Sequence, residues 1–185
     1  MLRPHRIEGY AIISAEGMIA DHNGIQPPEL IVKADQRMFR RGLDRAAAVA
    51  HGRFSHERGP GTANRKRLVL TRRIESIAPH PRYRQGVLWN PAGASFQEAG
   101  RALDGPDGVL AVIGGTETFA LFLEIGYDAF HLTRAKRAHL PAGRSVFPDV
   151  PVRTPEDVLA RHGLKPGPPQ CLDADADVVL VIWHA

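Results

Sequence analysis

Three short stretches carry residue types that together can hold an anion: Gly52-Arg53-Phe54-Ser55, Thr71-Arg72-Arg73 and Gly114-Gly115-Thr116. Each follows an apolar run. Hydroxyls and guanidinium groups are what phosphate recognition requires, because arginine donates two hydrogen bonds in a planar fork. The paired glycines add a different property. Without a Cβ, glycine accepts positive φ and lets another group lie directly on the main chain. The helix that follows, with Phe119, Phe122 and Leu123 at helical spacing after Thr116, begins with unpaired amide N–H groups and the positive end of a dipole. A diphosphate suits such a turn. A bare Gly-Gly, lacking the three-glycine fingerprint, also serves as a plain strand-to-helix turn.

Other chemistries are absent from the sequence. There is no GxxxxGK[ST] phosphate loop, no GxSxG nucleophile turn and no HExxH metal helix. The nine histidines are scattered without metal-ligand spacing, and His51 beside Gly52 reads as a structural residue. "DADAD", Asp173 to Asp177, lacks the glycine and terminal glutamate of a calcium loop and reads as a solvated turn. The single cysteine, Cys171, excludes an internal disulfide and a multi-cysteine zinc site. No metal is expected.

The elements that must position these residues can be read from periodicity and caps. "RIEGYAIISAEGMIADHNG" is a strand running into a loop at Glu16-Gly17. Pro27-Pro28 should open a helix whose apolar residues Leu30, Ile31, Ala34, Met38, Phe39 and Leu43 recur at three and four, predicting helix over 30–43. Further strands are expected at the end of "RAAAVAHGR", over 67–73, over 86–90, in "GVLAVIGG", in "AFHLTRA" and in "DVVLVIWHA". Ser95 with Glu98 has capping-box spacing for one helix. Thr154, Pro155 and Gly163 bound another. "KPGPPQ", 165–170, reads as an exposed loop. Strand and helix thus alternate, which points to a largely parallel sheet covered on both faces. In such sheets ligands bind beyond the carboxyl ends of the strands, where all three polar stretches fall.

Length and composition set the frame. The 185 residues, 43% of them hydrophobic, make one domain over 1–185 with a sizeable core. No apolar run reaches the length of a membrane span and the N-terminus lacks a signal-peptide core, so a cytoplasmic protein with no membrane partner is expected. The net charge is +4 and the pI about 9.6. The cations fall in short clusters, Arg40-Arg41, Arg65-Lys66-Arg67 and Arg72-Arg73, and not along one helix face. With 6% aromatics and no nucleic-acid motif, no nucleic-acid partner is expected. A phosphorylated small molecule satisfies the same charge argument, and a homodimer is compatible with the sequence.

As a set, these blocks resemble the dihydrofolate reductase superfamily over nearly the whole chain. "AHGRFSHE" is similar to its Gly-Arg-x-Thr/Ser turn, "NRKRLVLTRR" to its Arg-Lys-x-apolar-apolar-Leu-Ser/Thr-Arg strand, and "VIGGTETFALFL" to its Ile-Gly-Gly strand and helix. "FHLTRAK" and "VFPDV" resemble its apolar-Thr strand and later Phe-Pro. "SAEGMIAD" is closer to the Ser-x-Asp-Gly-x-Ile-Ala opening of the related riboflavin-pathway reductase domain. The resemblance implies an α/β, three-layer fold with a mostly parallel central sheet, an antiparallel C-terminal strand and helices on both faces.

It implies NADPH as cofactor and a small heterocycle as substrate. Gly52, Arg53 and Ser55 would hold cofactor phosphates, Leu70, Thr71 and Arg72 the adenosine end with its 2'-phosphate, and Gly114, Gly115, Thr116, Glu117 and Thr118 the pyrophosphate. Ile19 and Ala20 would meet the nicotinamide carboxamide through their main chain. On the substrate side the resemblance asks for a buried carboxylate on the first helix with an apolar residue one turn later. Asp35 and Phe39 have that spacing, with Thr133 the partner of Asp35 through water, Ile113 lining the pocket and Arg65 gripping a substrate carboxylate. Asp35 is the expected catalytic residue; Glu29 is its rival. An aspartate on a mostly apolar face is costly to bury, so it is either functional or turned to solvent. The Pro-Trp pair before the family's helix is replaced here by "GIQPPEL". The implied activity is hydride transfer to a C=N bond of a pterin-like ring. The riboflavin-pathway aminopyrimidine reductase, with Lys33 or Arg37 as phosphate ligands, and a non-catalytic nucleotide-binding protein are the alternatives.

Overall fold

A computed structural model of the chain describes residues 5–55, 62–104 and 108–185. His56 and Glu57 of the "AHGRFSHE" block lie outside the described residues. The chain opens with β1 (His5–Ile13) and a short β2 (Met18–Ala20) beyond the Glu16-Gly17 turn. Pro27-Pro28 begin a single 3-10 turn, Pro28–Leu30, and α1 follows only at Lys33–Arg45. The helix expected over 30–43 is therefore displaced toward the C-terminus. Its cause is local: Ile31 (φ −94°, ψ 80°) and Val32 (φ −100°, ψ 121°) leave helical geometry, and β-branched side chains favour that extended step. Leu30 and Val32 are buried all the same.

Next come β3 (Ala48–Gly52), β4 (Arg67–Leu70), β5 (Ile77–Pro79), β6 (Gly86–Trp89) and α2 (Phe96–Ala102). The strand expected over 67–73 ends early, and Thr71 keeps one main-chain bond, N to Trp89 O at 2.9 Å. α2 carries the capping box read from Ser95 and Glu98. The chain continues through β7 (Gly108–Val112), α3 (Thr116–Ile125), β8 (Ala129–Ala135), β9 (Arg144–Ser145) and α4 (Pro155–Arg161). It closes with β10 (Lys165–Pro166), β11 (Gln170–Asp173) and β12 (Val178–His184). Residues 165–170, expected as loop, thus contain β10 and the first residue of β11, both held on the edge of β12.

β8, β1, β7, β3, β4 and β6 run parallel in that order, while β12 lies antiparallel on β8 and β5 antiparallel on β6. β2 and β9 form a separate pair. Alternation along the strands splits the core. Ile7 and Ile13 of β1, Leu110 and Val112 of β7 and Phe130 of β8 share one cluster with Phe119 and Phe122 of α3 and Leu159 of α4. Tyr10, Val49 and Ala111 face the other way, under Leu43 and Phe39 of α1. Burial on both faces explains the unbroken apolar runs of the central strands. The outer side of α1 exposes Lys33, Arg37, Arg40, Arg41 and Arg45, so cations do gather on one helix, contrary to the sequence expectation. No helix among the described residues is long and apolar enough to cross a membrane.

Candidate functional site

The parallel ends of β3 and β7 stay joined past their ladder. Ile113 N donates to Ala50 O at 3.0 Å and Gly52 N to Gly114 O at 2.8 Å. α3 starts immediately afterwards from Gly115, which caps it in extended geometry with no side-chain hydrogen bond, so the first amides of the helix remain available. Glycine leaves the tightest fit here. A Cβ on Gly52 would stand 3.2 Å from Thr118 Oγ1 and 3.7 Å from Gly115 N, and one on Gly115 would stand 3.3 Å from Ser55 Oγ. Gly52, Ser55, Gly114, Gly115 and Thr118 therefore converge on one crevice. Positive φ belongs to Gly114 alone (+110°), while Gly115 sits at −80°. The Gly114–Gly115 peptide is cis.

Around this crevice stand the remaining cofactor candidates. Ser55 N donates to Gly52 O at 3.0 Å, closing the turn after β3. Arg53 lies over the exposed Phe54 ring, 4.3 Å from its centroid. Arg72, past the end of β4 (Leu70), approaches Glu117 in the first turn of α3 at 3.8 Å, both side chains well exposed. Thr71 Oγ1 accepts from Arg73 N at 3.2 Å. Thr116 Oγ1 donates to Ser145 O in β9, and β9 pairs with β2, which brings Ile19 and Ala20 to the same end of α3. A diphosphate here would meet bare main chain, uncapped amides, the Ser55 hydroxyl and two exposed cations. The donor set fits such a group.

On the α1 face of the sheet the material changes. Asp35 is 7% exposed and burial raises its carboxyl to about 6, with Thr133 drawing it partly back down. Thr133 Oγ1 is itself buried and has no partner at full hydrogen-bonding distance. Glu29, in the 3-10 turn, is exposed. Of the two placements open to an aspartate there, the structure has Asp35 buried and not turned to solvent. Phe39 and Ile113 pack half-buried in the same cluster as Tyr10. Lys33 and Arg37 stand two positions either side of Asp35, exposed, and residues at that spacing do not share a helix face. Arg65 is committed within the chain, donating to Leu43 O at 2.7 Å and pairing with Asp44 at 2.6 Å.

Sequence reasoning missed a polar network beside Phe39. Glu8 accepts from Tyr10 Oη at 2.8 Å and approaches His131 Nε2 at 3.3 Å, and the Tyr10 and His131 rings stack at 4.3 Å. The His131 bond, opposed by burial and aided by Tyr10 and Arg6, holds Glu8 down at about 2. Burial, with Glu8 beside it, drives the Tyr10 phenol well above its ordinary range. Only Glu8 and Tyr10, at alternate positions of β1, share a local pattern; His131 reaches them from β8.

Two shallow concavities, of about 290 and 480 Å3, open at the other end of the strands, around Ala46–Val49 with Arg65 and around Pro79–Val87 with Leu103. Neither meets the glycine crevice. Among the described residues no group of three or more His, Cys, Asp or Glu is placed to hold a metal ion.

No family model matches the sequence, and no curated protein matches it. Solved structures do. A diaminohydroxyphosphoribosylaminopyrimidine deaminase/5-amino-6-(5-phosphoribosylamino)uracil reductase from Thermotoga maritima superposes with TM-score 0.64 at 15% identity over 97% of this chain, which spans 56% of that longer one. Dihydrofolate reductase from Enterococcus faecalis, complexed with NADP(H), gives TM-score 0.63 at 15% identity, covering 97% of this chain and 95% of that one. A pyrimidine reductase-like protein from Corynebacterium diphtheriae gives 0.63 at 13% identity, covering 97% and 91%. Strand order, the antiparallel C-terminal strand and these superpositions agree: the chain has the dihydrofolate reductase-like fold.

Proposed function

We propose that the chain is an NADPH-dependent reductase that delivers a hydride to the carbon of a C=N bond in a pterin-like heterocycle. The observation that carries this reading is the junction at Ile113-Gly114. There the glycines and hydroxyls that meet at the ends of β3 and β7 lie against one face, and Ile113 packs into the cluster under α1, the helix that carries the buried carboxyl of Asp35, on the other. When bound, NADPH supplies the hydride. Gly52, Ser55 and the start of α3 from Gly114 to Thr118 hold the diphosphate, with Arg53 beside them. Thr71 and Arg72 hold the 2'-phosphate. The main chain at Ile19 and Ala20 orients the nicotinamide end.

Asp35 stabilises the protonated heterocycle. With its carboxyl raised to about 6, it exchanges a proton near neutral pH, and the proton ends on the ring nitrogen adjacent to the reduced carbon. Phe39 and Ile113 wall the ring and keep water from it. A protein that only bound a nucleotide would gain nothing from a desolvated carboxyl at this place. The outward-facing Lys33 and Arg37 supply no phosphate grip in the pocket, which favours the pterin-like ring over an aminopyrimidine ribotide.

The test is NADPH oxidation with dihydrofolate, dihydrobiopterin and the aminopyrimidine ribotide. Turnover with a pterin is expected. Turnover with the ribotide alone would move the chain to the riboflavin-type reaction, and tight NADPH binding without turnover on any would make it a nucleotide-binding protein.

A further inference from the structure

We propose that His51, oriented by the buried guanidinium of Arg67, is a positioning residue that fixes the Gly52 peptide and through it the phosphate-facing edge of the crevice; this rests on the cofactor reading above. His51 and Gly52 are consecutive in β3, so their α-substituents point to opposite faces of the sheet. His51, 2% exposed, therefore lies on the α1 face, away from Thr118 and Gly115. Arg67 sits on the same face of neighbouring β4, two residues before the partner of His51, and is 1% exposed. Its Nη1 lies 3.3 Å from His51 Nε2, its Nη2 donates to Thr62 O, and its guanidinium covers the Tyr83 ring at 4.7 Å.

Arginine is a permanent donor and cannot accept. The His51 nitrogen that faces it must therefore present a lone pair, which places the ring proton on Nδ1. Nδ1 lies 2.8 Å from Gly52 O and donates to it. That carbonyl also accepts from Ser55 N at 3.0 Å, while Gly52 N donates to Gly114 O at 2.8 Å. Both lone pairs of the carbonyl and the single N–H are thereby engaged. The two peptides that flank Gly52 are thereby both held, one by its N–H and the next by its carbonyl, and Ser55 is held with its Oγ against Gly115. An apolar residue at 51 would fill the space but remove the acceptor that faces the buried Arg67 guanidinium. What that residue would lack is the N–H directed at Gly52.

The test combines a tautomer and an affinity. Long-range 15N–1H spectra of labelled protein are expected to show His51 protonated at Nδ1 and bare at Nε2, with and without NADPH. His51→Leu removes the donor, whereas His51→Asn keeps one at the Nδ position. NADPH titration calorimetry, run beside thermal melts, is expected to give a Kd about tenfold weaker for His51→Leu and a near wild-type Kd for His51→Asn. Wild-type protein that binds no NADPH overturns both readings. Wild type that binds while His51→Leu matches it, or a ring protonated at Nε2, overturns only this one. Should His51→Leu fail to fold, the tautomer and the His51→Asn affinity decide.

Discussion

The crevice at Gly52, Ser55, Gly114 and Gly115 is lined by main chain and small hydroxyls, whereas the ground under α1 is made of large, interlocked side chains: Asp35, Phe39, Tyr10, His131 and Thr133. Under the proposed function the first would take a diphosphate, and the second would discriminate, because each ring and carboxyl has its place only through neighbours on another strand. Cofactor choice and substrate choice would then be written in different material, and changes on one side should leave the other nearly intact.

The harshest way to break that separation is Gly115→Val. Its Cβ alone would stand 3.3 Å from Ser55 Oγ, and the branches beyond it would fill the crevice. NADPH affinity is expected to fall by about a hundredfold or more, with circular dichroism and the α1 face unchanged. A folded variant that binds NADPH normally would reduce the crevice to a structural turn.

Asp35→Asn probes the other side. It keeps the shape and removes the charge, so turnover is expected to fall by about two orders of magnitude, while calorimetric NADPH affinity stays within a factor of about two. Equal turnover, together with a large loss in Glu29→Gln, would transfer the role to the exposed glutamate.

Arg72→Ala sharpens the crevice side. Loss of one charge-assisted hydrogen bond should weaken NADPH about tenfold and leave NADH almost unchanged. Equal losses for both would remove Arg72 from the 2'-phosphate.

A separate effect, on stability, reads the burial of Asp35 directly. Its carboxyl rises from 3.8 in the unfolded chain to about 6 in the fold, so between those values the native state holds the extra proton. Stability therefore falls as pH rises through that window, and the full cost stands above it. Asp35→Asn should be more stable than wild type by about 3 kcal/mol at pH 8 and show no gain near pH 3. Parallel melting curves across that range would contradict the buried placement.

Legibility in the sequence followed the same divide. Glycines mark the crevice because Gly114 adopts positive φ and Gly52 and Gly115 have close neighbours, and the caps at Ser95 and Thr154 are local and were found where expected. Asp35 and Phe39 were visible as an i, i+4 pair, although the extended step at Ile31 and Val32 delayed the helix that carries them. The Glu8–Tyr10–His131 network was not visible, since it needs residues 123 positions apart placed side by side by the β1–β8 register. Arg67 and His51 were hidden likewise. A buried arginine has no local mark, and the cluster Arg65-Lys66-Arg67 reads as surface charge until β4 turns its third member inward. The short edge strands β5, β10 and β11 depend on partners and not on their own apolar period.

The most direct test of the account is a titration of 15N-labelled protein with NADPH, followed by amide shifts. The account predicts saturable changes concentrated at Gly52, Ser55 and Gly114 to Thr118, with smaller ones at Ile19 and Ala20. Silence at those amides, or changes confined to the concavities around Ala46–Val49 and Pro79–Val87 at the opposite ends of the strands, would contradict it.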